Sequence, residues 1–292
     1  MIDTKIETVL HYSAFTRDPD GGNRAGIVLD AAGWSDEDMQ RVATAVGYSE
    51  TVFVTGVVGE GLQVQYFSPA AEVPFCGHTT IALAVALAER HGPGKQTFIT
   101  RSGPVSIETV RADDGSLQAT LVSVTPQVIQ SNEVDLQEVL DTLGWVRSDL
   151  HPDLPPRVSF AGALHLILVA AYRQRLDTLD FDYERLKALL DRDGWTTIYM
   201  AWPERMEHEH IVRNAFPAGP VREDPATGAA AAAYGAYLRE FGAITPPARL
   251  LLRQGEVLGR PSLLYVDIAP GTDGIRVSGN AVPLGSNLNG PS

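Results

Sequence analysis

One cysteine, Cys76, stands among the 292 residues. A single thiol cannot close an internal disulfide, so nothing in the chain asks for an oxidising compartment. Positive charge is also short: 23 Lys and Arg stand against 36 Asp and Glu, a formal net charge of -13. Phosphate backbones and anionic bilayers attract basic surfaces, so neither nucleic acid nor a membrane is an expected partner. Long apolar runs are missing as well. A long uncharged and apolar stretch, Val73 to Ala88, contains Pro, Gly and His and falls short of the ~20 residues a spanning helix needs. The opening MIDTKIETVLHYSAF lacks the basic start and apolar core of a secretory leader. Together these absences predict a cytoplasmic globular protein. A small anionic substrate stays open, because a local site can be positive on an acidic protein.

What is present is a pattern that occurs twice. FSPAAEVPFCGHTTIALAVAL, Phe67 to Leu87, passes from a short strand through Pro and Gly into an apolar helix. FPAGPVREDPATGAAAAAYGAYL, Phe216 to Leu238, does the same about 150 residues later. Downstream, Arg101-Ser-Gly-Pro-Val is matched by Arg253-Gln-Gly-Glu-Val, and Asp114-Gly115 by Asp273-Gly274. Short Gly and Pro motifs recur anywhere. Four landmarks in the same order at a nearly constant offset (Phe67/Phe216, Gly77/Gly228, Arg101/Arg253 and Asp114/Asp273) predict two similar domains, and the period is too long for a solenoid. Chain length also favours two domains. The expected division is 1–122 and 123–279, with a tail, 280–292, packing back on the first, and a link near Ser123 to Ser131.

Thr51–Val54, Leu62–Tyr66, Val105–Thr109 and Leu117–Leu121 alternate or are β-branched and predict strands. So do Ala163–Ala171, Thr196–Ala201, Ile211–Arg213 and Leu263–Ile268. Trp34–Val46 and Asp180–Asp191 have amphipathic spacing, with Ser35 and Asp180 as N-caps. Arg147–Pro156 reads as a surface loop, and Gly56–Gly61 as a hairpin turn. The expected fold class is α/β, two similar domains with one long helix among the strands of a mixed sheet.

In each half the long helix is entered through Gly, and five alanines follow Gly228. A helix apolar on every side belongs in a core, so its N-terminus is the part left to meet a ligand. That end carries unpaired N–H groups and partial positive charge, which suit carboxylates and oxyanions. Two domains facing across a cleft would bring both starts to one substrate. The candidates are Cys76, Gly77, His78 and Thr79 in the first half, and Asp224, Thr227, Gly228 and Ala229 in the second. Taken alone, Cys-Gly-His also fits a small packed residue, a turn glycine and a core histidine, and Asp224 or Thr227 fits a simple cap. His208 and His210 in Met206–His210 share a strand face, but no third ligand is near, so a solvated face is expected and no metal. No P-loop or serine nucleophile elbow occurs.

Four motifs in order resemble the PhzF-like family, the phenazine-biosynthesis isomerase-like proteins of the diaminopimelate epimerase fold. They are Gly22-Asn23-Arg24 to Val28, Ser49-Glu50-Thr51, Phe67 to Gly77-His78, and Glu223-Asp224-Pro225-Ala226-Thr227-Gly228. The resemblance covers nearly the whole chain. It implies two α/β domains, each a barrel-like sheet around a central helix, no metal or organic cofactor, and a homodimer. It also implies Glu50 as the proton-transfer residue, with His78 and Asp224 as polar partners across the cleft. Without its motif Glu50 would read as a surface or capping carboxylate. Arg24 stands where Pro is usual, Ala229 where many members have Ser, and Cys76 where the phenazine isomerase has a small residue.

Proline racemases carry a similar Cys-Gly-His, but a two-thiol mechanism is excluded by the single cysteine. A mixed mechanism using Cys76 with Glu50 or Asp224 stays open, as does a binding protein without chemistry. The expectation is a cofactor-independent isomerase that moves a proton between carbons of a small carboxylate-bearing substrate.

Overall fold

A computed structural model describes residues 2–219 and 221–285. The chain divides into two compact units: one runs to Leu121 and resumes at Ser278, the other covers Val122–Val277.

In the first unit, strands β1 (Leu10–Ala14), β2 (Asn23–Val28), β3 (Glu50–Val58) and β4 (Gly61–Phe67) pair in sequence, with the short β5 (Glu72–Val73) beside β4. β6 (Lys95–Thr100), β7 (Gly103–Arg111) and β8 (Leu117–Val122) continue the sheet. The last strand among the described residues, Arg276–Pro283, pairs with β8 and also with β1, so eight strands close into a ring. Parallel neighbours cannot be joined by a tight turn and need a crossover. β2/β3 and β4/β6 are the parallel pairs. Helix α2 (Asp36–Val46), which follows the short α1 (Ile2–Ile6), makes the first crossover, and α3 (Gly77–His91) the second.

Helix α3 is buried on every side, from His78 to Ala88. It packs on β1, β2, β3 and β7, strands spread around the ring, so it runs through the ring and not over it. Ile81, Leu83 and Val85 are wholly buried, each contributing roughly 1.5–3 kcal/mol through loss of apolar surface from water. Helix α2 lies outside, where Met39 and Val42 cluster with Phe53 and Phe67. Ser35 caps it, accepting from the Asp38 amide at 3.3 Å.

The second unit repeats the scheme. Its strands are β9 (Gln127–Gln130), β10 (Arg157–Phe160), β11 (Leu164–Val169), β12 (Thr197–Arg205), β13 (Glu209–Ala215), β14 (Ala248–Gln254) and β15 (Ser262–Ile268). β11/β12 are parallel, β12/β13 antiparallel, β13/β14 parallel and β14/β15 antiparallel. That is the order of β2 through β7 over again. Outside the sheet lie α4 (Glu133–Leu143), α5 (Gln174–Asp177) and α6 (Tyr183–Asp193), sharing one core that includes Leu140, Leu186 and Trp195. Helix α7 (Gly228–Glu240) packs on β9 to β12 and β15 and is buried from Ala230 to Leu238. Gly235 lets it approach: a Cβ there would stand 2.7 Å from a Val266 methyl. The same crossover positions in both halves explain the repeated landmarks of the sequence.

Several expectations change. The cap of α6 is Asp182, which accepts from the Arg185 amide at 3.0 Å, not Asp180. Asp180 instead pairs with Arg222 at 2.6 Å. The stretch expected as a link holds β9, which pairs with β10. Arg147–Asp149 forms a 3-10 turn inside the expected loop. His208 and His210 do not share a face: His208 is exposed in the hairpin turn, and His210 is fully buried. Its Nε2–H donates to the Met206 carbonyl at 2.7 Å and its Nδ1 lies 2.8 Å from the Tyr234 hydroxyl.

Burial lowers the pKa of His210 to about 4, with the Met206 bond opposing, and that of His165 to about 3. The unfolded chain takes up these protons near pH 6.5, while the folded chain does not. Stability is therefore full above that value and falls below it. Between pH 6.5 and pH 5 each histidine removes about 2 kcal/mol. Urea midpoints should hold steady from pH 8 to 7 and drop clearly by pH 5. A midpoint unchanged at pH 5 would contradict the neutral burial of both rings.

Candidate active site

The first-unit candidates come together where β3 begins and α3 starts. Glu50 is the first residue of β3 and lies opposite Ala25 of β2. Gly26 beside it is required by space, since a Cβ would come within 2.6 Å of Thr51 Oγ1. Cys76 is the N-cap of α3, extended in backbone, and its side chain makes no capping bond to the first turn. Its carbonyl is held in place by the Thr80 amide at 3.1 Å and by the hydroxyls of Thr79 at 3.1 Å and Thr80 at 2.6 Å. Thr80 is fixed in turn by the Tyr66 hydroxyl at 2.8 Å. Helix and strand are thus pinned to each other before any functional group is counted.

Within this frame the Cys76 thiol donates to Glu50 Oε2 at 3.5 Å, and Sγ lies 3.2 Å from His78 Nδ1. The other ring nitrogen, Nε2, is 3.6 Å from Glu50 Oε2 and 3.4 Å from Ser49 Oγ. The Glu50 and His78 side chains are 12% and 6% exposed, enough enclosure for their mutual charge to matter and enough opening for Glu50 to be reached. Burial depresses the His78 pKa, opposed by the Glu50 charge and by a hydrogen bond to the Arg24 backbone. The imidazole is neutral at pH 7, with one nitrogen to donate and one to accept. Gly77 and Thr79 place first-turn amides beside it.

The second-unit candidates gather at the start of α7. Asp224 accepts a short bond from the Thr227 hydroxyl, which itself accepts from Asn214 Nδ2 at 2.7 Å. Gln254, 1% exposed, donates to the Asp224 carbonyl at 2.7 Å and to Thr227 Oγ1 at 3.2 Å, and accepts from the Thr227 amide at 3.3 Å. The loop is anchored by Glu223, whose carboxylate takes a two-pronged bond from the buried Arg213, Nε at 2.9 Å. So the Glu of Glu-Asp-Pro-Ala-Thr-Gly anchors the loop to Arg213, and the Asp is tied to Thr227. Gly228 and Ala229 open the helix; the Thr227 side chain, its N-cap, makes no capping bond. Arg213, Asn214 and Gln254 were not singled out in the sequence. Asn214 and Arg213 are adjacent on β13, and Gln254 lies 27 residues beyond Thr227, so only the Arg-Gln-Gly repeat landmark pointed near it.

A closed ring of strands thus surrounds a buried helix, with a carboxylate, a thiol and an imidazole together at the helix start. The comparisons carry this to a family. The family model for phenazine biosynthesis-like proteins (PhzC-PhzF) matches residues 12–286, and the chain belongs to that family. It is 28% identical to an uncharacterized isomerase, YfhB, of Bacillus subtilis, over 95% of this chain and 97% of that one. It is 29% identical to the trans-2,3-dihydro-3-hydroxyanthranilate isomerase of Pseudomonas chlororaphis, over 94% and 97%. The crystal structure of a Bacillus anthracis PhzF-family protein matches with a TM-score of 0.85 at 27% identity, over 95% and 96% of the two chains. A probable proline racemase from Agrobacterium radiobacter shares the fold, with a TM-score of 0.66 at 12% identity, over 95% and 91%. The chain is thus a PhzF-family isomerase or epimerase. No helix among the described residues is long and apolar enough to cross a membrane.

The three bonds of Gln254 yield a direct test. Gln254→Leu keeps the shape but strands the Thr227 amide and the Asp224 carbonyl, a cost of about 1–3 kcal/mol. Chemical unfolding at pH 7 measures it. A loss well under about 0.5 kcal/mol would show that the network does not hold the loop.

Proposed function

We propose that this chain moves a proton between two carbons of a small carboxylate-bearing molecule, with Glu50 as the group that takes and returns it. The observation that carries the reading is the Glu50 carboxylate, 3.5 Å from the Cys76 thiol and 3.6 Å from His78 Nε2 at the uncapped start of α3. Glu50 removes a proton from carbon, the electron pair spreads into the adjoining unsaturated system, and the same carboxyl delivers the proton to a second carbon. One group serves both steps, so the carboxylate is restored at the end. First-turn amides of Gly77, His78 and Thr79 can stabilise the negative charge that develops. Neutral His78 can pass a proton or hold a substrate hydroxyl. We assign Asp224, Thr227, Gly228 and Ala229 to substrate orientation in the same reaction.

The identity to the Pseudomonas chlororaphis isomerase supports an unsaturated cyclic acid as substrate class. Turnover without metal or organic cofactor, by a cytoplasmic homodimer, belongs to the same reading and rests on the family resemblance. An inversion by Cys76 and Glu50 is disfavoured by geometry. Two bases that invert a carbon must stand on opposite faces of it, and these two are hydrogen-bonded to each other.

Glu50→Gln preserves shape and removes the base. Turnover of trans-2,3-dihydro-3-hydroxyanthranilate or the true substrate should fall by about 10²–10⁴-fold, while Cys76→Ala should cost far less. Full turnover in Glu50→Gln would end the assignment. Collapse in Cys76→Ala alone would move it to the thiol, and tight binding without turnover in the unaltered protein would point to a binding protein.

A further inference from the structure

The start of α3 also holds three kinds of metal-binding side chain in one small volume. One ligand atom each from Glu50, Cys76 and His78 lies within 4.8 Å of the other two. Sγ to Oε2 is 3.5 Å, Oε2 to Nε2 is 3.6 Å, and Sγ to Nδ1 is 3.2 Å. On a tetrahedral zinc ion, with bonds of about 2.0–2.3 Å, neighbouring donors are roughly 3.3–3.6 Å apart. An imidazole offers only one of its nitrogens to a given ion. With the nitrogen that meets the 4.8 Å limit, the widest pair closes by roughly 1.2–1.5 Å at most to reach that spacing.

The donors sit on regular structure. Glu50 opens a ring strand, and Cys76 and His78 flank Gly77 at the pinned helix start. A site built on such elements loses little order on binding. A thiolate with an imidazole and a carboxylate suits a borderline cation such as zinc, and not magnesium or calcium, which prefer all-oxygen sets. Two negative donors match a dication, so coordination neutralises charge in an enclosed place. Three protein donors leave the fourth position to water or to a ligand carboxylate.

We propose that Glu50, Cys76 and His78 form a binding site for one zinc-type divalent cation, which stops proton transfer by occupying the Glu50 carboxylate. As the zinc–sulfur bond forms, the thiol proton passes to solvent. Imidazole binds through a nitrogen lone pair, and nothing is oxidised or reduced. The inhibitory consequence rests on the role given to Glu50; the cation site does not.

The test is a titration of chelator-dialysed protein with cobalt(II), followed by zinc competition. One equivalent should produce near-ultraviolet thiolate-to-cobalt absorption and the intense visible bands of a tetrahedral ion, both bleached by zinc. Cys76→Ser should abolish the thiolate band, and Glu50→Gln should weaken zinc binding at least tenfold by calorimetry, with circular dichroism showing both folded. His208→Ala, exposed in its hairpin, should bind as the unaltered chain does. Absence of a thiolate band at one equivalent, or unchanged zinc affinity in Cys76→Ser, overturns the site. Zinc binding with undiminished turnover overturns the block and the role of Glu50, and leaves the site standing.

Discussion

Burial of an apolar helix on all its faces is the constraint from which the first unit follows. A helix with one apolar stripe can lie on a sheet, but α3 has no polar side to give to water. Surrounding it takes strands in every direction, and the ring of eight supplies them. Its interior backbone groups are bonded within the helix, so the only main-chain polarity left is at the ends. The C-terminal end leaves the core through exposed residues from Glu89 onward. The N-terminal end, entered through Cys76 and Gly77, is where Glu50 and His78 also lie, so polar side chains and the helix's first amides coincide there.

That coincidence explains why the groups at this start are small, polar and crowded. Tyr66, Thr79 and Thr80 spend their hydroxyls holding the helix and the Cys76 carbonyl in place. Glu50, Cys76 and His78 are left facing one another within hydrogen-bond or ion-pair range. The same economy recurs at α7 with different residues. Gln254, Asn214 and the Arg213–Glu223 pair fix the loop, and Asp224 accepts from the Thr227 hydroxyl. A repeated architecture has thus been fitted with unlike chemistry at equivalent positions, as family members of one fold differ by their sites.

Much of this was legible in the sequence because it is local. The helix starts at Gly77 and Gly228, the Ser35 cap and the strand segments depend on residues a few positions apart, and the structure has them where spacing puts them. The repeat was legible because crossovers fix the order of elements, and order survives when residues change. What was missed depends on distant partners. His210 stands only two residues from exposed His208 in an alternating Glu-His stretch, and its pairing with Tyr234 and Met206 is what marks it as buried. Asp180 was the expected cap of α6, but it pairs with Arg222, and Asp182 caps the helix. Gln254 and Arg213 carry no local signal of their roles. At the site, the motifs and the family resemblance brought Glu50, Cys76 and His78 forward, while the thiol–carboxylate–imidazole contacts among them became visible only in three dimensions.

The most direct test of the central claim, that Glu50 shuttles one proton between carbons, is proton NMR of substrate turnover in D₂O. The panel runs from dihydro-hydroxyanthranilate to proline, hydroxyproline and diaminopimelate. On this account the double bond should move with the substrate's own proton, or deuterium exchanged onto Glu50, arriving at a second carbon, and Glu50→Gln should stop both. Deuterium entering with inversion at the carbon that lost its proton, unaffected by Glu50→Gln, would contradict it.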